Sequence, residues 1–165
     1  MGFAQLLPYI STLTVFIPFL YCFSALKRKD KFIIPLFALL CVSILTSAIA
    51  EYYIQVGRQT SLFLNLYTFV EFIGISFVYA ALLPHWKKGI FAAMGLFIAF
   101  FVADSYWIED INVIQDYPLV VESVIVIVYC ITYFFHSLKD VGHDYSLIRD
   151  GKFWVNIAFI SYFIY

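Results

Sequence analysis

The sequence predicts an all-α integral membrane fold: a polytopic bundle of six apolar spans, the sixth truncated, carrying a candidate tandem helical-hairpin repeat. Three observations predict it. Of 165 residues, 64% are apolar, 21% aromatic and only 13% charged, with a mean hydropathy of +0.92. A soluble domain is typically about 45–50% apolar and about 25% charged, and one of this length could not hide the excess. The apolar residues also fall into runs of spanning length, and the basic residues collect on alternate connections between those runs.

A helix crossing the hydrocarbon needs about 20 apolar residues at about 1.5 Å rise each. Runs at 3–26, 32–50, 62–83, 89–106 and 119–138 are read as spans. A sixth at 153–165 reaches only about 20 Å, so the sequence is expected to stop inside its sixth span. The first run has no basic residue ahead of it and no small-x-small site before "KRKDK", and is read as a span instead of a cleaved leader. Pro18 within it leaves the Thr14 carbonyl without its usual partner, which predicts a kink.

Small residues let backbones approach where lipid removes the hydrophobic drive for helices to pair. Ser43, Ser47 and Ala50 on the second span, and Ala92, Gly95, Ala99 and Ala103 on the fourth, form such faces and are expected to be buried. The connection "DSYWIEDINVIQDYP" sets Trp107, Ile111 and Ile114 at i, i+4 and i+7, which predicts a short helix lying in the interface. Pro118 suits the first turn of the fifth span, with Asp116 as its cap.

Nine of the ten basic residues lie on the first, third and fifth connections: Lys27, Arg28, Lys29 and Lys31; Lys87 and Lys88; Lys139, Arg149 and Lys152. Arg58 is the exception, and Asp104, Glu109, Asp110 and Asp116 make the fourth connection acidic. The positive-inside rule then sets the basic side in the cytoplasm of a cell inner (cytoplasmic) membrane, with the N-terminus outside. Trp86, Trp107 and Trp154 each fall at an expected interface, as an aromatic belt requires.

"VEFIGISFVYAALLPHWKK" aligns without gaps over "VESVIVIVYCITYFFHSLKD", pairing Glu71 with Glu122, His85 with His136 and Lys88 with Lys139. Spans two–three and four–five then read as two copies of a hairpin, related by an axis along the membrane normal.

Glu71 and Glu122 are the candidate site. Counting back from Pro84 puts Glu71 about 18–20 Å from the inner surface, and Glu122 at similar depth. An acidic residue at a helix centre costs roughly 2.5–3.5 kcal/mol, so each is expected to be protonated, partnered or wetted. The reading is an outward-facing polar pocket that binds a ligand or ion, with Tyr67 one turn before Glu71 as a hydrogen-bond partner and Glu51 and Asp104 near the mouth. The bland alternative is that each carboxyl only joins helices. Asn65 and Asn156 are read as such helix–helix contacts, and His85 and His136 as interfacial residues that snorkel or meet headgroups.

A net charge of −1 argues against nucleic acid as a partner. Cys22, Cys41 and Cys130 lie within apolar runs at no metal or redox spacing, and one His in the loop at 143 makes no metal site. No HExxH, GxSxG or phosphate-cradling glycine loop is present, so neither an enzyme nor a cofactor is expected. The expected partners are the lipid bilayer and other membrane proteins, or further copies of the chain.

"NLYTFVEF", then "VVES" ahead of a long apolar helix, then "FWVNIAFISYF", together resemble a group of small bacterial multi-pass membrane proteins whose similar regions precede cytoplasmic histidine-kinase modules. The resemblance covers about residues 65–162 and implies a membrane input module, with Asn65, Glu71, Glu122, Trp154 and Asn156 as matching positions. No kinase module is present in the sequence. The leading expectation is a non-enzymatic sensory or interaction module; the alternative is a small secondary transporter or ion-coupled permease.

Overall fold

The computed structural model describes residues 19–20, 22–26, 30–110, 113–139 and 150–164. Among the described residues 88% are helical and no strand occurs, so the all-α expectation holds. The helices are α1 (Ile33–Gln55), α2 (Ser61–Leu82), α3 (Lys87–Trp107), α4 (Asp116–Lys139) and α5 (Gly151–Ile164), with a 3₁₀ turn at Pro84–Trp86 between α2 and α3. Helices α1 to α4 are long and apolar enough to cross a membrane, and α5, at 14 residues, is shorter. Among the described residues, then, four of the six expected spans correspond to helices long and apolar enough to cross a membrane. Most of the first predicted run, with Thr14 and Pro18, lies outside the described residues, as do Lys27–Lys29, His143 and Arg149.

Helix ends follow local chemistry. α1 runs five residues past its predicted end because its stop signal is Gly57. That glycine has φ 68°, and its N–H donates to Ile54 O at 3.1 Å while the Arg58 N–H donates to Tyr53 O at 3.0 Å. These two bonds satisfy carbonyls that the helix leaves open, and the left-handed residue between them is cheap only for glycine. α2 stops at Leu82 because Pro84 pushes the residue before it out of helical backbone, and Leu83 sits at φ −121°, ψ 68°. Asp116 opens α4 and Pro118 is in its first turn.

The interfacial helix expected after Trp107 is not formed at the described positions of that connection, residues 108–110 and 113–115. The Asp104 carbonyl accepts both the Ile108 and Glu109 N–H groups, at 2.9 and 3.0 Å, which closes α3. Asn65 on α2 then holds the connection: its Nδ2 donates to Val113 O at 2.7 Å and its Oδ1 accepts the Gln115 N–H at 3.1 Å. A side chain that claims backbone groups in this way competes with a local helix.

α2 is the hub, touching α1, α3 and α4, while α5 packs on α4. Asn65, Thr68, Phe72, Ile75 and Tyr79 form its buried face at helical spacing. Phe72 meets Phe97 of α3 with ring centroids 4.1 Å apart, and Phe69 meets Phe101 at 5.1 Å. α1 approaches α2 closely at Gly74, where a Cβ would stand 2.8 Å from Leu39 Cδ1. In the first run, the Phe19 ring stacks on Phe37 at 5.1 Å, and Cys22 and Ala25 pack with Ile33, Leu36 and Val78.

The small-residue faces are only partly where the helices meet: Ser43 lies against α2, and Ala50 and Ala103 are half-buried. Ala92, Gly95 and Ala99 are exposed, and α3 turns Ile90, Phe97, Phe101 and Asp104 inward instead. Ser47 is exposed too. Interlocking aromatic rings fill the α2–α3 seam, and dispersion between them replaces close backbone approach. The outward surface carries Leu45, Leu66, Phe77, Leu96, Val120 and Phe135, all at least 44% exposed. Water would penalise that surface, whereas lipid would not.

α2 and α4 run parallel. Contacts join Asn65 to Gln115, Tyr79 to Cys130 and His85 to His136, so the two helices stay in step from end to end. The end bearing Asp104 and Asp116 is called the acidic end below, and that bearing Lys87 and Lys139 the basic end.

Candidate functional site

Glu71 stands midway along α2, and Glu122 is two turns into α4. The parallel register brings their carboxyls within electrostatic reach of one another. Glu122 is 1% exposed, and its Oε1 is enclosed with no hydrogen-bond partner. Glu71 is half-buried and its Oε1 accepts the Tyr67 hydroxyl at 3.0 Å. That hydroxyl also lies 3.1 Å from Ser43 Oγ of α1. Having one proton, Tyr67 donates it to Glu71 and accepts from Ser43. Tyr162 of α5 is close enough to act electrostatically on both carboxyls.

Three helices thus contribute to one polar group inside the bundle, and Tyr162 of α5, itself exposed, acts on it from the rim. The titratable groups acting on the pair are Tyr67 and Tyr162, and no basic side chain does so among the described residues. Two acids with a single hydroxyl donor and no cationic partner can hold a proton between them or accept a small cation. Among the described residues no group of three His, Cys, Asp or Glu side chains could hold a metal ion.

The other sequence candidates fall elsewhere. Glu51 is exposed on α1 and accepts Gln55 Nε2 at 3.3 Å. Asp104 is fully buried at the acidic end of α3, where its carboxyl meets that of Glu109 and not the Glu71–Glu122 pair. Asn65 fixes a connection to α2 as described, so it joins helix to loop. Asn156 does join helices: Tyr79 of α2 donates to its Oδ1 at 2.7 Å, and its Nδ2 donates to the Cys130 carbonyl of α4 at 3.3 Å. His85 and His136 face each other, with ring centroids 5.7 Å apart at the basic end. Separately, a cleft of about 270 Å³ between α3 and α4 is lined by apolar groups including Ile90, Ala93, Val124 and Val128, and neither Glu71 nor Glu122 lines it.

Sequence reasoning missed three participants. Tyr162 lies in the shortest helix and offers no spacing signal until α5 is docked. Ser43 is read as a packing residue, although its hydroxyl completes the Tyr67 chain. Cys130 is read as a small hydrophobe, yet its sulfur is 2.9 Å from the Tyr79 hydroxyl.

Fold and site together define an all-helical membrane protein with an acid pair between two parallel spans. No protein-family model, curated protein or solved structure matches the chain significantly.

Proposed function

We propose that this protein is a non-enzymatic sensory or interaction module of a cell's inner membrane, in which occupancy of the Glu71–Glu122 pair by a proton or small cation selects how α2, α4 and α5 pack. The observation that carries the reading is the Glu122 carboxyl: buried, with one oxygen lacking any donor, and within electrostatic reach of a second acid on the neighbouring helix. A bundle retains such a group at a cost in stability, and intramembrane acids that face one another mark ion and proton sites more often than they mark scaffolding. A ligand shifts a conformational equilibrium only through unequal affinity for its states. An acid pair divided between α2 and α4 supplies that inequality, because loading it removes repulsion across their seam. The same reading sets the basic end in the cytoplasm, the N-terminus outside, and two further spans around those described. It takes the hairpins α1–α2 and α3–α4 as repeats, in keeping with the parallel course of α2 and α4.

Transport is less well supported. Phe72, Ile75 and Val126, each 0% exposed, pack in one apolar cluster on the basic side of the pair, and among the described residues no helix break opens a route past them.

Spin labels on the exposed positions Leu66 of α2 and Val120 of α4, in nanodiscs, test the proposal. The interhelical distance distribution should change across a pH titration of the otherwise native chain, and stay fixed when Glu71→Gln and Glu122→Gln are combined. An identical response in both proteins would refute it. Proton flux through proteoliposomes that Glu71→Gln abolishes would favour transport instead.

A further inference from the structure

Among the described residues, four of the six buried side-chain oxygens that lack a hydrogen-bond donor belong to three residues at the acidic end: both carboxylate oxygens of Asp104, Oε2 of Glu109 and Oε1 of Gln115. All four act as acceptors when the acids are ionised. Enclosed acceptors without donors are rare in folded proteins and are explained by a bound ion, an ordered water or, for two acids in contact such as Asp104 and Glu109, a shared proton. From this concentration we infer that the connection between α3 and α4 forms a site for a hard divalent cation, Ca²⁺ above Mg²⁺, built from Asp104, Glu109 and Gln115.

The backbone explains how the oxygens come together. The Glu109 N–H turns back to the Asp104 carbonyl at 3.0 Å, folding the chain so that the two carboxyls meet. Asp104 sits on the buried stripe of α3, one turn beyond Phe101, and is 0% exposed. Gln115 is independent of the acids and arrives from the far side of the connection. It is 1% exposed, its main-chain N–H is held by Asn65 Oδ1 at 3.1 Å, and its Nε2 donates to Ser105 Oγ at 3.0 Å. With the main-chain N–H and Nε2 so engaged, the amide oxygen remains as an acceptor beside the helix end that carries Asp104.

Two touching carboxylates and an amide oxygen are hard ligands, with no His or Cys among them, which disfavours zinc and copper. Ca²⁺ accepts irregular oxygen shells more readily than Mg²⁺, which demands near-ideal octahedral geometry. Only two acids contribute, so water completes the shell and affinity falls in the range of about 0.1–1 mM typical of weak extracellular Ca²⁺ sites. Bound there, the ion would tie the end of α3 to the start of α4 and hold the connection down on Asn65.

The test uses the full chain purified in detergent, depleted of divalent ions with EGTA and titrated with CaCl₂ while thermal unfolding is followed. A saturable rise in Tm is expected, with half-saturation near about 1 mM or below. Asp104→Asn and Glu109→Gln should each weaken the response by about tenfold or more, whereas Glu51→Gln, an exposed acid on α1, should leave it unchanged. Gln115→Glu adds a charge to the shell and should tighten it, a gain that misfolding could not mimic. No saturable response in the native chain, or an equal response in Asp104→Asn and Glu109→Gln, would overturn the site. So would an Asp104→Asn protein that is stabilised while the native chain ignores Ca²⁺, since the two acids would then simply share a proton.

Discussion

The Tyr79 hydroxyl lies 2.9 Å from the sulfur of Cys130, 51 residues further along the chain. Glu71 and Glu122 have the same separation and lie within electrostatic reach of each other, and His85 and His136, again 51 residues apart, face each other across the α2–α4 seam. The offset at which the sequence aligns with itself is therefore also the register in which two parallel helices touch. Matching depth alone would let the acids sit on opposite sides of the bundle. Contact register makes them neighbours, and that neighbourhood gives the pair its chemistry.

The Tyr79 hydroxyl joins three helices, because it also donates to Asn156 Oδ1 of α5 at 2.7 Å. Tyr79→Phe keeps the ring against Tyr129 and Phe159 and removes only the oxygen. Asn156, 0% exposed, then loses a donor that nothing replaces. Stability should fall by about 1–3 kcal/mol, the cost of orphaning a buried acceptor. Thermal unfolding in detergent would measure it. Cys130→Ser should cost less, since a hydroxyl can stand in for the thiol.

Register can be read chemically at the basic end, where the His85 and His136 rings are 5.7 Å apart. His85→Cys combined with His136→Cys should form an intramolecular disulfide under mild oxidation, detectable as a linked peptide by mass spectrometry. His85→Cys with Leu138→Cys should not, because two residues along a helix turns the side chain to another face. Linkage of both pairs with equal yield would mean that α2 and α4 are not held in step.

Much of this architecture is legible in the sequence, for reasons that differ by residue. The spans are legible because lipid demands long apolar runs, and α2 begins and ends within one residue of its predicted limits. The end of α1 was misjudged because apolar content thins at Ala50, while the actual stop is Gly57 and its left-handed φ, a signal present in "VGR". The buried faces were misjudged for a physical reason. In water the apolar face of a helix marks the inside, but here both faces are apolar, so small residues were the only guide. Aromatic rings had equal claim to the seam and took it. Glu71, Glu122 and Tyr67 were found because polar groups stand out against hydrocarbon. Asp104, by contrast, turns to Glu109, because sequence depth says nothing about which way a side chain faces.

The Glu122 carboxyl should trade stability for function. An enclosed Oε1 without a donor is an unpaid desolvation, and replacing such a group by an apolar side chain of similar size is often stabilising. Glu122→Leu is expected to raise stability by about 1–3 kcal/mol and to abolish the pH response of the spin-labelled pair. Unfolding curves and distance measurements on the same preparation check both halves. A destabilised Glu122→Leu protein would mean that the carboxyl has a partner and serves as structural glue.

Gly74 tests whether α1 is seated on α2 as closely as Leu39 implies. A Cβ at Gly74 would stand 2.8 Å from Leu39 Cδ1, and 3.5 Å from Leu39 Cβ. The nearer atom is the end of a flexible side chain, so Gly74→Ala should be absorbed by a turn of that methyl, offset by the better helix propensity of alanine. Gly74→Leu cannot be absorbed in the same way, because its branched end must enter space already held by the Leu39 stem. Overpacking of this kind costs about 1–3 kcal/mol, and the strain would separate α1 from α2 near Ser43. Ser43 Oγ would then leave the Tyr67 hydroxyl, which loosens the donor on Glu71 without touching either carboxyl. Gly74→Leu should therefore lower Tm and alter the pH response of the acid pair, while Gly74→Ala changes neither appreciably. Leu39→Ala introduced beside Gly74→Leu should restore both by vacating the contested volume, and failure of that rescue would show that α1 does not lean on α2 through this contact.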